Sequence, residues 1–300
     1  MPLVAATAVA LAAGLDLAVG EPPARAHPVA WFGRAVAPLD RDWRAPLGVG
    51  RAAAVVLPLS AAVVAVAATA VAVGVHPLAG AAVAGLALFS TTSRRMLLEE
   101  ARGVVEASAT DLPAARERLP ALVGRPIDAL PADAVRSAAV ESAAENLADG
   151  LVAPLFAFAL LAPVSLPLGV GAAVWVKAVN TMDSMLGYPG TPVGRASARL
   201  DDVVMWVPAR LAAALLALAA RRPSALRAAR RFAGEPASPN SGWPMATLAA
   251  ALGVRLEKPG AYVLEPAADP PTVADGRRGV RLVGLAGGLA FVGAGVLAWT

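Results

Sequence analysis

Residues 52–74 read AAAVVLPLSAAVVAVAATAVAVG, a run without a single charged side chain. At 1.5 Å per residue, a helix of this length is long enough to cross a hydrocarbon core about 30 Å thick. After the short turn Val75-His76-Pro77, a second apolar run extends from Leu78 to Ser93. Two such runs joined by a short turn predict a helical hairpin inside a membrane.

The composition of the whole 300-residue chain agrees with a membrane protein. Hydrophobic residues make up 57%, charged residues only 16%, and the mean hydropathy is +0.62. A typical soluble protein carries about 25% charged residues, and a soluble fold this poor in charge could not cover its surface. The composition therefore excludes an ordinary soluble enzyme and a disordered chain.

The net charge of +4 does not predict a nucleic-acid partner. All but two of the cationic residues are arginines, and they cluster between apolar runs, as in the cytoplasmic loops of membrane proteins. The chain has no cysteine, which excludes disulfides, thiolate metal sites and cysteine nucleophiles.

The remaining apolar segments predict an all-α, polytopic integral membrane helical bundle, with residues 1–300 forming a single domain. The segment Leu151–Val176 is interrupted by Pro163–Pro167, so it is either one irregular span or a re-entrant pair. The other candidate membrane segments are Met1–Gly20, Val203–Ala220 and Gly279–Trp299.

Charge predicts the orientation of this bundle. The tip of the hairpin carries no Lys or Arg, whereas Arg44/Arg51 and Arg94/Arg95 flank its two bases. The positive-inside rule places the tip outside and the bases in the cytoplasm of a multi-pass protein of the cell (inner) membrane. Charge alone leaves the number of crossings open.

Two polar stretches are predicted on the cytoplasmic side. Residues of about 94–149 form a helical layer: an amphipathic helix around Leu97–Val105, a second one that starts at Thr110-Asp111 and ends at Gly124-Arg125-Pro126, and a third one capped by Asp128. A cytoplasmic-side loop covers about 221–278, with a short helix at Met245–Leu252 and a loop at Pro266–Arg278.

The first group with chemical potential is the acidic stripe Glu141, Glu145 and Asp149, with Asn146 beside it. Residues spaced by four lie near one face of a helix, and like charges at that spacing repel each other. Mg²⁺ prefers hard oxygen ligands and would relieve this repulsion. The alternative is a solvated helix face whose acids pair with Arg136 or other arginines.

The second group lies at the end of a membrane segment. Lys177, Asn180 and Ser184 share one helical face, and Asp183 is adjacent. A lysine at this position could neutralise a phosphate or a developing negative charge. The alternative is a lysine that extends its ammonium group to the membrane surface.

The third group combines Arg195 and Arg199 with the adjacent pair Asp201-Asp202. It predicts either an ion-pair network or a cradle for a metal and a phosphate. Arg210 follows inside an apolar run, where a charged side chain needs a partner and indicates a functional site.

Weaker candidates lie elsewhere in the chain. His27, one of only two histidines, makes either a structural hydrogen bond or a contact in the site, and Asn240 stands in a rigid turn. The chain has no nucleotide-binding P-loop motif. We expect a shared cytoplasmic-side cavity for residues 141–149, 177–202 and 240–242.

Five segments of the chain carry a family resemblance: DLAVGEPPARAHPVAWFGR (16–34), ESAAENLADGLVAPLF (141–156), KAVNTMDSMLGY (177–188), ASARLDDVVMWVPAR (196–210) and SPNSGWPMATLAAALGVRL (238–256). In sequence and order they resemble the CobD/CbiB family, adenosylcobinamide-phosphate synthase of cobalamin biosynthesis. Two features depart from the family: the loop after Gly187-Tyr188 is short, and the helix at Leu97–Ala101 lacks an expected histidine.

This resemblance implies a membrane ligase that joins adenosylcobyric acid, a corrinoid, to (R)-1-amino-2-propanol or its O-phosphate. ATP would be the co-substrate and Mg²⁺ the metal. Besides these small molecules and membrane lipid, the chain would associate with a second copy of itself or with other membrane enzymes of corrinoid synthesis.

We assign roles to three sets of residues. The catalytic set is Lys177, Asp183, Arg199 and Asp202. The substrate- or nucleotide-binding set is His27, Asn146, Asn180, Ser184, Arg195, Arg210 and Asn240. The metal-binding set is Glu141, Glu145, Asp149 and Asp201.

The residues are also compatible with two other functions. A secondary transporter of a polar or corrinoid-related solute is compatible with broken apolar segments and with charged groups such as Asp16 and Arg210 at membrane depth. No inverted repeat is visible, and the polar segments are concentrated at one side. A membrane-bound scaffold of the pathway without catalysis is the third possibility.

Overall fold

The computed structural model describes residues 2–123, 130–188 and 190–300, and most of these residues lie in helices. The predictions that one helix ends at residues 124–126 and that Asp128 caps the next fall outside the described residues. The elements are α1 (Pro2–Val19), α2 (Pro28–Val36), α3 (Pro46–Val75), α4 (Pro77–Thr91), α5 (Arg95–Thr110), α6 (Leu112–Arg118), α7 (Ala132–Leu147), α8 (Ala153–Leu161), α9 (Leu166–Leu186), α10 (Arg195–Val204), α11 (Trp206–Ala219), α12 (Ser224–Ala229), α13 (Gly242–Leu252), β1 (Leu256–Lys258), β2 (Tyr262–Leu264) and α14 (Val273–Trp299).

The chain divides into two units. The first unit comprises residues 1–93, 149–205 and 290–300, and the second comprises residues 94–148 and 206–289. The predicted single domain over 1–300 and the cytoplasmic sidedness of the polar layer stay predictions. The first stretch of the second unit nevertheless has nearly the bounds of the predicted layer, about 94–149.

The two helices of the predicted hairpin are confirmed in the first unit. His76 alone separates α3 from α4, and the two helices pack against each other. Close approach relies on a small residue, since a Cβ on Gly80 would lie 2.5 Å from Cγ2 of Val73. The imidazole Nδ1 of His76 accepts a hydrogen bond from Leu78 N–H at 3.1 Å and so caps α4.

The break predicted at Pro163–Pro167 is also present. Helix α8 ends at Leu161, α9 begins at Leu166, and the two helices pack against each other. A π-helical turn, Ala148–Val152, precedes α8. Within the first unit the carbonyl of Gly150 accepts a hydrogen bond from Ser93 N–H at 2.9 Å. This hydrogen bond attaches Ser93, two residues after the end of α4, to the π turn.

Four helical segments among the described residues are long and apolar enough to cross a membrane, or up to five if the bent pair α10–α11 counts as one span. The protein is therefore an all-α polytopic membrane protein, as the sequence predicts. The four segments are Pro2–Val19, Pro46–Val75, Ala132–Leu161 and Val273–Trp299.

The second unit contains α5, α6, α7, α11, α12 and α13, and the amphipathic pattern of α5 is confirmed. Leu97, Ala101, Val104 and Val105 are buried on one face of α5, which packs against α6 and α7. Asp111 caps α6 by accepting a hydrogen bond from Ala114 N–H at 3.1 Å. The helix predicted at Met245–Leu252 is present as α13.

A short antiparallel hairpin, β1–β2, was not predicted. It pairs Leu256 with Leu264 and Lys258 with Tyr262. Strands of three residues carry too little alternation to stand out in a sequence. The hairpin packs against α7 and α13 within the second unit.

The apolar helix predicted over Val203–Ala220 is present as α11, Trp206–Ala219, and it begins three residues later than predicted because a break separates it from α10. Helix α10 ends at Val204, and α11 begins at Trp206. Pro208 explains the break, because proline lacks an N–H donor and its ring clashes with the carbonyl four residues earlier, here that of Val204.

The prediction of a loop over Pro266–Arg278 is wrong for its last part, because α14 already begins at Val273. Thr272 and Asp275 form a capping box. Asp275 Oδ2 accepts from Thr272 N–H at 3.0 Å, and Thr272 Oγ1 accepts from Asp275 N–H at 3.2 Å. This cap stabilises a first helical turn that carries charged residues and therefore resembles a loop in composition.

Candidate functional site

The polar end of α9 carries four of the predicted site residues in the first unit. After an apolar first half, the helix continues through Lys177, Asn180, Asp183 and Ser184. The Ser184 hydroxyl donates a hydrogen bond to the Asn180 carbonyl at 2.9 Å. Ser184 thus bonds to its own helix, whereas the side chains of Lys177, Asn180 and Asp183 interact with groups on other elements.

Lys177 is partly buried and lies among acidic groups of the first unit. Burial lowers the pKa of its ammonium group, whereas the carboxylates of Asp149, Glu21 and Asp201 raise that pKa. The ammonium thus interacts electrostatically with acidic side chains from three separate segments. Of the predicted third group, Asp201 is the member that this interaction links to Lys177.

One hydrogen bond and one electrostatic interaction relate side chains of α9 to those of α10. The amide Nδ2 of Asn180 donates a long hydrogen bond of 3.5 Å to Oδ1 of Asp201, and both side chains are buried. Burial raises the pKa of the Asp183 carboxyl, and the neighbouring carboxylate of Asp202 raises it further. Asp183 and Asp202 therefore form a pair of like charges across the two helices.

Gly187 explains how the Asp183 carboxylate lies over the end of α9. A Cβ at Gly187 would lie 1.9 Å from Oδ1 of Asp183, a distance that no side chain could tolerate. The Gly187 N–H donates a hydrogen bond of 2.7 Å to the Asp183 carbonyl and so ends the helix. Any larger residue at position 187 would push the carboxylate out of this position.

The predicted phosphate partners Arg195 and Arg199 are exposed on α10. They are four residues apart, so they lie near one face of the helix. Ser197, between them, is buried and donates a hydrogen bond to the Gly194 carbonyl at 2.8 Å. This contact fixes the first turn of α10 while leaving both guanidinium groups in contact with solvent.

For His27 the structure shows the hydrogen bond that the sequence left as one of two alternatives. Nδ1 of His27 accepts from Val29 N–H at 3.2 Å and caps α2. Nε2 lies 3.7 Å from a carboxylate oxygen of Glu21. Burial lowers the pKa of His27, and Lys177 adds to this effect, while Glu21 opposes it. A role of His27 in substrate binding stays a prediction.

Glu141 lies in the second unit and is almost completely buried, with 3% exposure. The Ser137 hydroxyl donates to one carboxylate oxygen at 2.6 Å, and the Tyr262 hydroxyl donates to the other at 2.6 Å. Ser137 Oγ also accepts from Glu257 N–H at 2.7 Å. This network joins α7 to the β hairpin, and Glu141 has a structural role in it whether or not it also binds a metal.

The rest of the predicted acidic stripe lies in different surroundings. Glu145 is partly buried, and Asn146 donates hydrogen bonds of 3.0 Å to the Ser142 carbonyl and hydroxyl. Asp149 stands in the π turn and belongs to the first unit. The expectation of one cavity shared by residues 141–149, 177–202 and 240–242 stays a prediction.

Arg210 has partners in the second unit. Its Nη1 donates to the Trp206 carbonyl at 2.7 Å and to Oδ1 of Asn240 at 3.1 Å. The guanidinium carbon lies 4.1 Å from the ring centroid of Trp206 and 5.0 Å from that of Trp243. The structure thus brings together Arg210 and Asn240, which the sequence assigns to binding from two distant segments.

Binding of Mg²⁺ stays a prediction. Among the described residues no group of three or more His, Cys, Asp or Glu side chains is arranged to hold a metal ion. Mg²⁺ is usually bound through one or two carboxylates together with water and substrate phosphates. Asp183 and Asp202 are two carboxylates of this kind, and the charge of Asp202 raises the pKa of Asp183 after burial has raised it. The metal-binding set Glu141, Glu145, Asp149 and Asp201 stays a prediction.

The sequence interpretation missed several residues of these groups. Ser137 stands four residues before Glu141, a helical spacing that could have predicted its contact, and Tyr262 is noticeable as one of only two tyrosines. Trp206 and Trp243 belong to the segments quoted for the family resemblance. An indole in an apolar run is usually a core residue, so its contact with a cation could not be read from sequence.

These features define a polytopic α-helical membrane protein with clustered acidic and cationic side chains. A protein-family model described as CobD/Cbib protein matches residues 9–283. The chain therefore belongs to the CobD/CbiB family, as the five segments predict.

Curated relatives cover nearly the whole chain. It is 40% identical over 291 residues to the probable cobalamin biosynthesis protein CobD of Methanothrix thermoacetophila, covering 92% of this chain and 91% of the relative. It is 40% identical over 265 residues to cobalamin biosynthesis protein CobD of Klebsiella pneumoniae, covering 83% and 81%. The corresponding Rhodobacter capsulatus protein is 35% identical, covering 98% of each chain. No solved structure matches.

Proposed function

We propose that this protein acts in cobalamin biosynthesis as an ATP-dependent ligase. It joins the free carboxylate of adenosylcobyric acid to (R)-1-amino-2-propanol or its O-phosphate by an amide bond. The observation that carries the proposal is membership of the CobD/CbiB family over residues 9–283. The names of its relatives as cobalamin biosynthesis proteins support the pathway, and the side chains around Lys177 support the chemistry.

The reaction requires activation of a carboxylate. A carboxylate oxygen attacks the γ-phosphorus of ATP, ADP leaves, and an acyl phosphate forms. The amine nitrogen then attacks the acyl carbon, inorganic phosphate leaves, and the nitrogen loses a proton. Bound Mg²⁺ would offset the negative charge of the phosphates, with Asp183 and Asp202 as the oxygen donors that suit it.

The chain's own residues would position and neutralise the reactants. Lys177, with its lowered pKa and three nearby carboxylates, would contact the phosphoryl group that is transferred. Arg199 and Arg195 would attract the remaining phosphates from their exposed positions on α10. Asn180, which contacts Asp201 across the two helices, would orient the substrate near Lys177.

Turnover by purified protein tests the proposal. In detergent, the protein with adenosylcobyric acid, aminopropanol phosphate, ATP and Mg²⁺ should form adenosylcobinamide phosphate and ADP in equal amounts. If neither product forms and membrane vesicles containing the protein accumulate a corrinoid instead, the protein is a transporter. If neither activity is found, the scaffold function gains support.

Two variants with matched controls test the site. Asp202→Asn and Glu145→Gln should each reduce turnover by at least a hundredfold while the protein stays folded. Asp40→Asn and Glu117→Gln change exposed acids of the same units and should keep turnover near that of the wild type. A near-normal rate for either site variant would remove that residue from the site.

A further inference from the structure

The guanidinium group of Arg210 donates hydrogen bonds from one side, Nη1, while its Nε–Nη2 edge is available to a ligand. Nη1 carries two hydrogens, and its two acceptors are the Trp206 carbonyl and Oδ1 of Asn240. Among the residues that the structure describes, Nε and Nη2 have no hydrogen-bond acceptor and no carboxylate within ion-pair distance. The edge formed by Nε and Nη2 is the one with which arginine binds a carboxylate or phosphate through two parallel hydrogen bonds.

The charge of this group is not neutralised by its described neighbours. Asn240 and the Trp206 carbonyl are neutral acceptors. The two indole rings attract a cation through their π faces, but they carry no negative charge. A cation within an apolar run is costly unless an anion or solvent compensates its charge. The described surroundings thus hold a positive charge in place without cancelling it.

The position of the group is fixed from two separate segments. Trp206 and Arg210 stand one turn apart on α11, whereas Asn240 and Trp243 come from the turn that begins α13. Asn240 is buried, with 4% exposure. A Cβ on Gly242 would lie 2.1 Å from the Ala233 carbonyl oxygen, so the turn approaches that segment closely. The guanidinium therefore has little freedom to rotate away from its partners.

We propose that the Nε–Nη2 edge of Arg210 binds one oxyanion, a carboxylate or a phosphate group, and that Trp206 and Trp243 are positioning residues for it. Only the identity of the oxyanion rests on the proposed function. In a cobinamide-forming ligase it is the substrate carboxylate or the phosphate of a substrate. Because Trp206 is 54% exposed beside other exposed apolar side chains, the phosphate of a phospholipid headgroup is the second source of the same chemistry.

Binding without turnover tests this site. Delipidated protein in a maltoside detergent, free of ATP, is titrated with inorganic phosphate and separately with acetate, and tryptophan fluorescence is recorded. The wild type should give a saturable change. Arg210→Lys, which keeps the charge but loses the two-donor edge, should shift the midpoint at least tenfold higher. The control is Arg222→Lys, an arginine of the same unit that donates to the Ala250 and Ala251 carbonyls, and it should titrate like the wild type.

Two more variants keep the proposal testable if Arg210→Lys does not fold. Asn240→Asp has the same shape and places a carboxylate against Arg210, so it should also weaken anion binding at least tenfold. Trp243→Leu should weaken binding, and Trp243→Phe should restore most of it, because only an aromatic face holds the guanidinium.

The two sources of the oxyanion give different results, and both support the site. For a substrate group, aminopropanol phosphate or cobyric acid competes with inorganic phosphate. For a lipid headgroup, mass spectrometry finds phospholipid retained by the wild type and by Arg222→Lys but lost from Arg210→Lys. Equal titration and equal lipid retention in wild type and Arg210→Lys would overturn the proposal. Because no turnover is measured, failure of the ligase function would leave this result unaffected.

Discussion

Glu141 is a buried carboxyl group whose two oxygens each accept a hydrogen bond from a hydroxyl group. A buried polar group that loses one partner retains its desolvation cost without the compensating bond. Among the predicted metal-binding residues, Glu141 is thus the one for which the described contacts show a structural role. Its hydroxyl partners Ser137 and Tyr262 are as much part of this network as the carboxyl itself.

Tyr262→Phe tests this network at the scale of a single hydroxyl. It removes the donor to Glu141 and should lower the free energy of unfolding by about 1–3 kcal/mol, measured by denaturation in detergent. Tyr188→Phe is the matched control, because Tyr188 is exposed, and it should leave stability within about 0.5 kcal/mol of the wild type. Equal stability of wild type and Tyr262→Phe would contradict the structural role.

His27 makes a pH-dependent contribution to stability. Its Nδ1 accepts the hydrogen bond that caps α2, so protonation of that nitrogen removes the cap. Because burial lowers its pKa in the folded protein below the ordinary value of 6.5, the unfolded chain takes up the proton first as the pH falls. The contribution is therefore complete above pH 6.5 and is lost as the pH falls through the lowered folded pKa.

His27→Asn keeps a side chain that can cap a helix but does not titrate. Thermal midpoints measured between pH 5 and pH 8 should fall more steeply toward acid pH for the wild type than for this variant. Parallel curves for the two proteins would show that protonation of His27 does not affect folding.

At the scale of elements, the short segment between α9 and α10 sets where Asp201 and Asp202 lie. Its end packs against α3, where a Cβ on Gly50 would lie 2.0 Å from the Val193 carbonyl oxygen. Because that neighbour is backbone, the contact cannot be relieved by a rotamer change. Gly50 is therefore required for the position of α10.

Gly50→Ala should lower the free energy of unfolding by about 1–3 kcal/mol and reduce turnover, because α3 and the start of α10 must move apart. Gly48→Ala, on the same helix, places its Cβ where no atom lies within 4 Å. It should be neutral or stabilising by about 0.5–1 kcal/mol, since alanine favours a helix. Identical behaviour of the two variants in denaturation and assay would refute the close contact.

The elements that the sequence predicted well are those with a strong local signal. The uncharged run of α3, the turn at His76 and the proline-flanked break before α9 follow from composition and from proline chemistry. The π turn at residues 148–152 and the hairpin β1–β2 do not, because each depends on contacts with distant segments, such as Gly150 with Ser93. The Thr272–Asp275 capping box was present in the sequence and was outweighed by the polar composition around it.

For the site, sequence predicted the residue types and only part of their grouping. Lys177 with Asp149 and Asp201, and Arg210 with Asn240, come from segments far apart in the chain, and no periodicity relates them. Tyr262 and Trp243 were missed for the same reason, since they reach Glu141 and Arg210 only through tertiary structure. Ser137 and Trp206 each stand one helical turn before those residues, a spacing that the sequence does show.

At the scale of the whole molecule, the orientation in the membrane remains a prediction that the chain itself makes easy to test. It contains no cysteine, so single cysteines can be introduced without a background. Helix α3 spans 30 residues, about 45 Å, from a base near Arg44 to Val75, which is 78% exposed. The two ends of this one helix should face opposite compartments.

In intact cells, Val75→Cys should react with a membrane-impermeant maleimide, and Arg44→Cys should react only after the membrane is opened. The physical reason is the preference of arginine-rich flanks for the cytoplasm. The reverse pattern would place the active side outside, and labelling of both positions in intact cells would argue against a span by α3.

The central claim is that this protein activates a corrinoid carboxylate with ATP. The most direct measurement uses adenosylcobyric acid with ¹⁸O in its free carboxylate, incubated with purified protein, aminopropanol phosphate, ATP and Mg²⁺. For each amide bond formed, one ¹⁸O atom should appear in the inorganic phosphate, detected by mass spectrometry. Amide product with unlabelled phosphate, label in AMP, or no amide at all would contradict the proposed acyl phosphate chemistry.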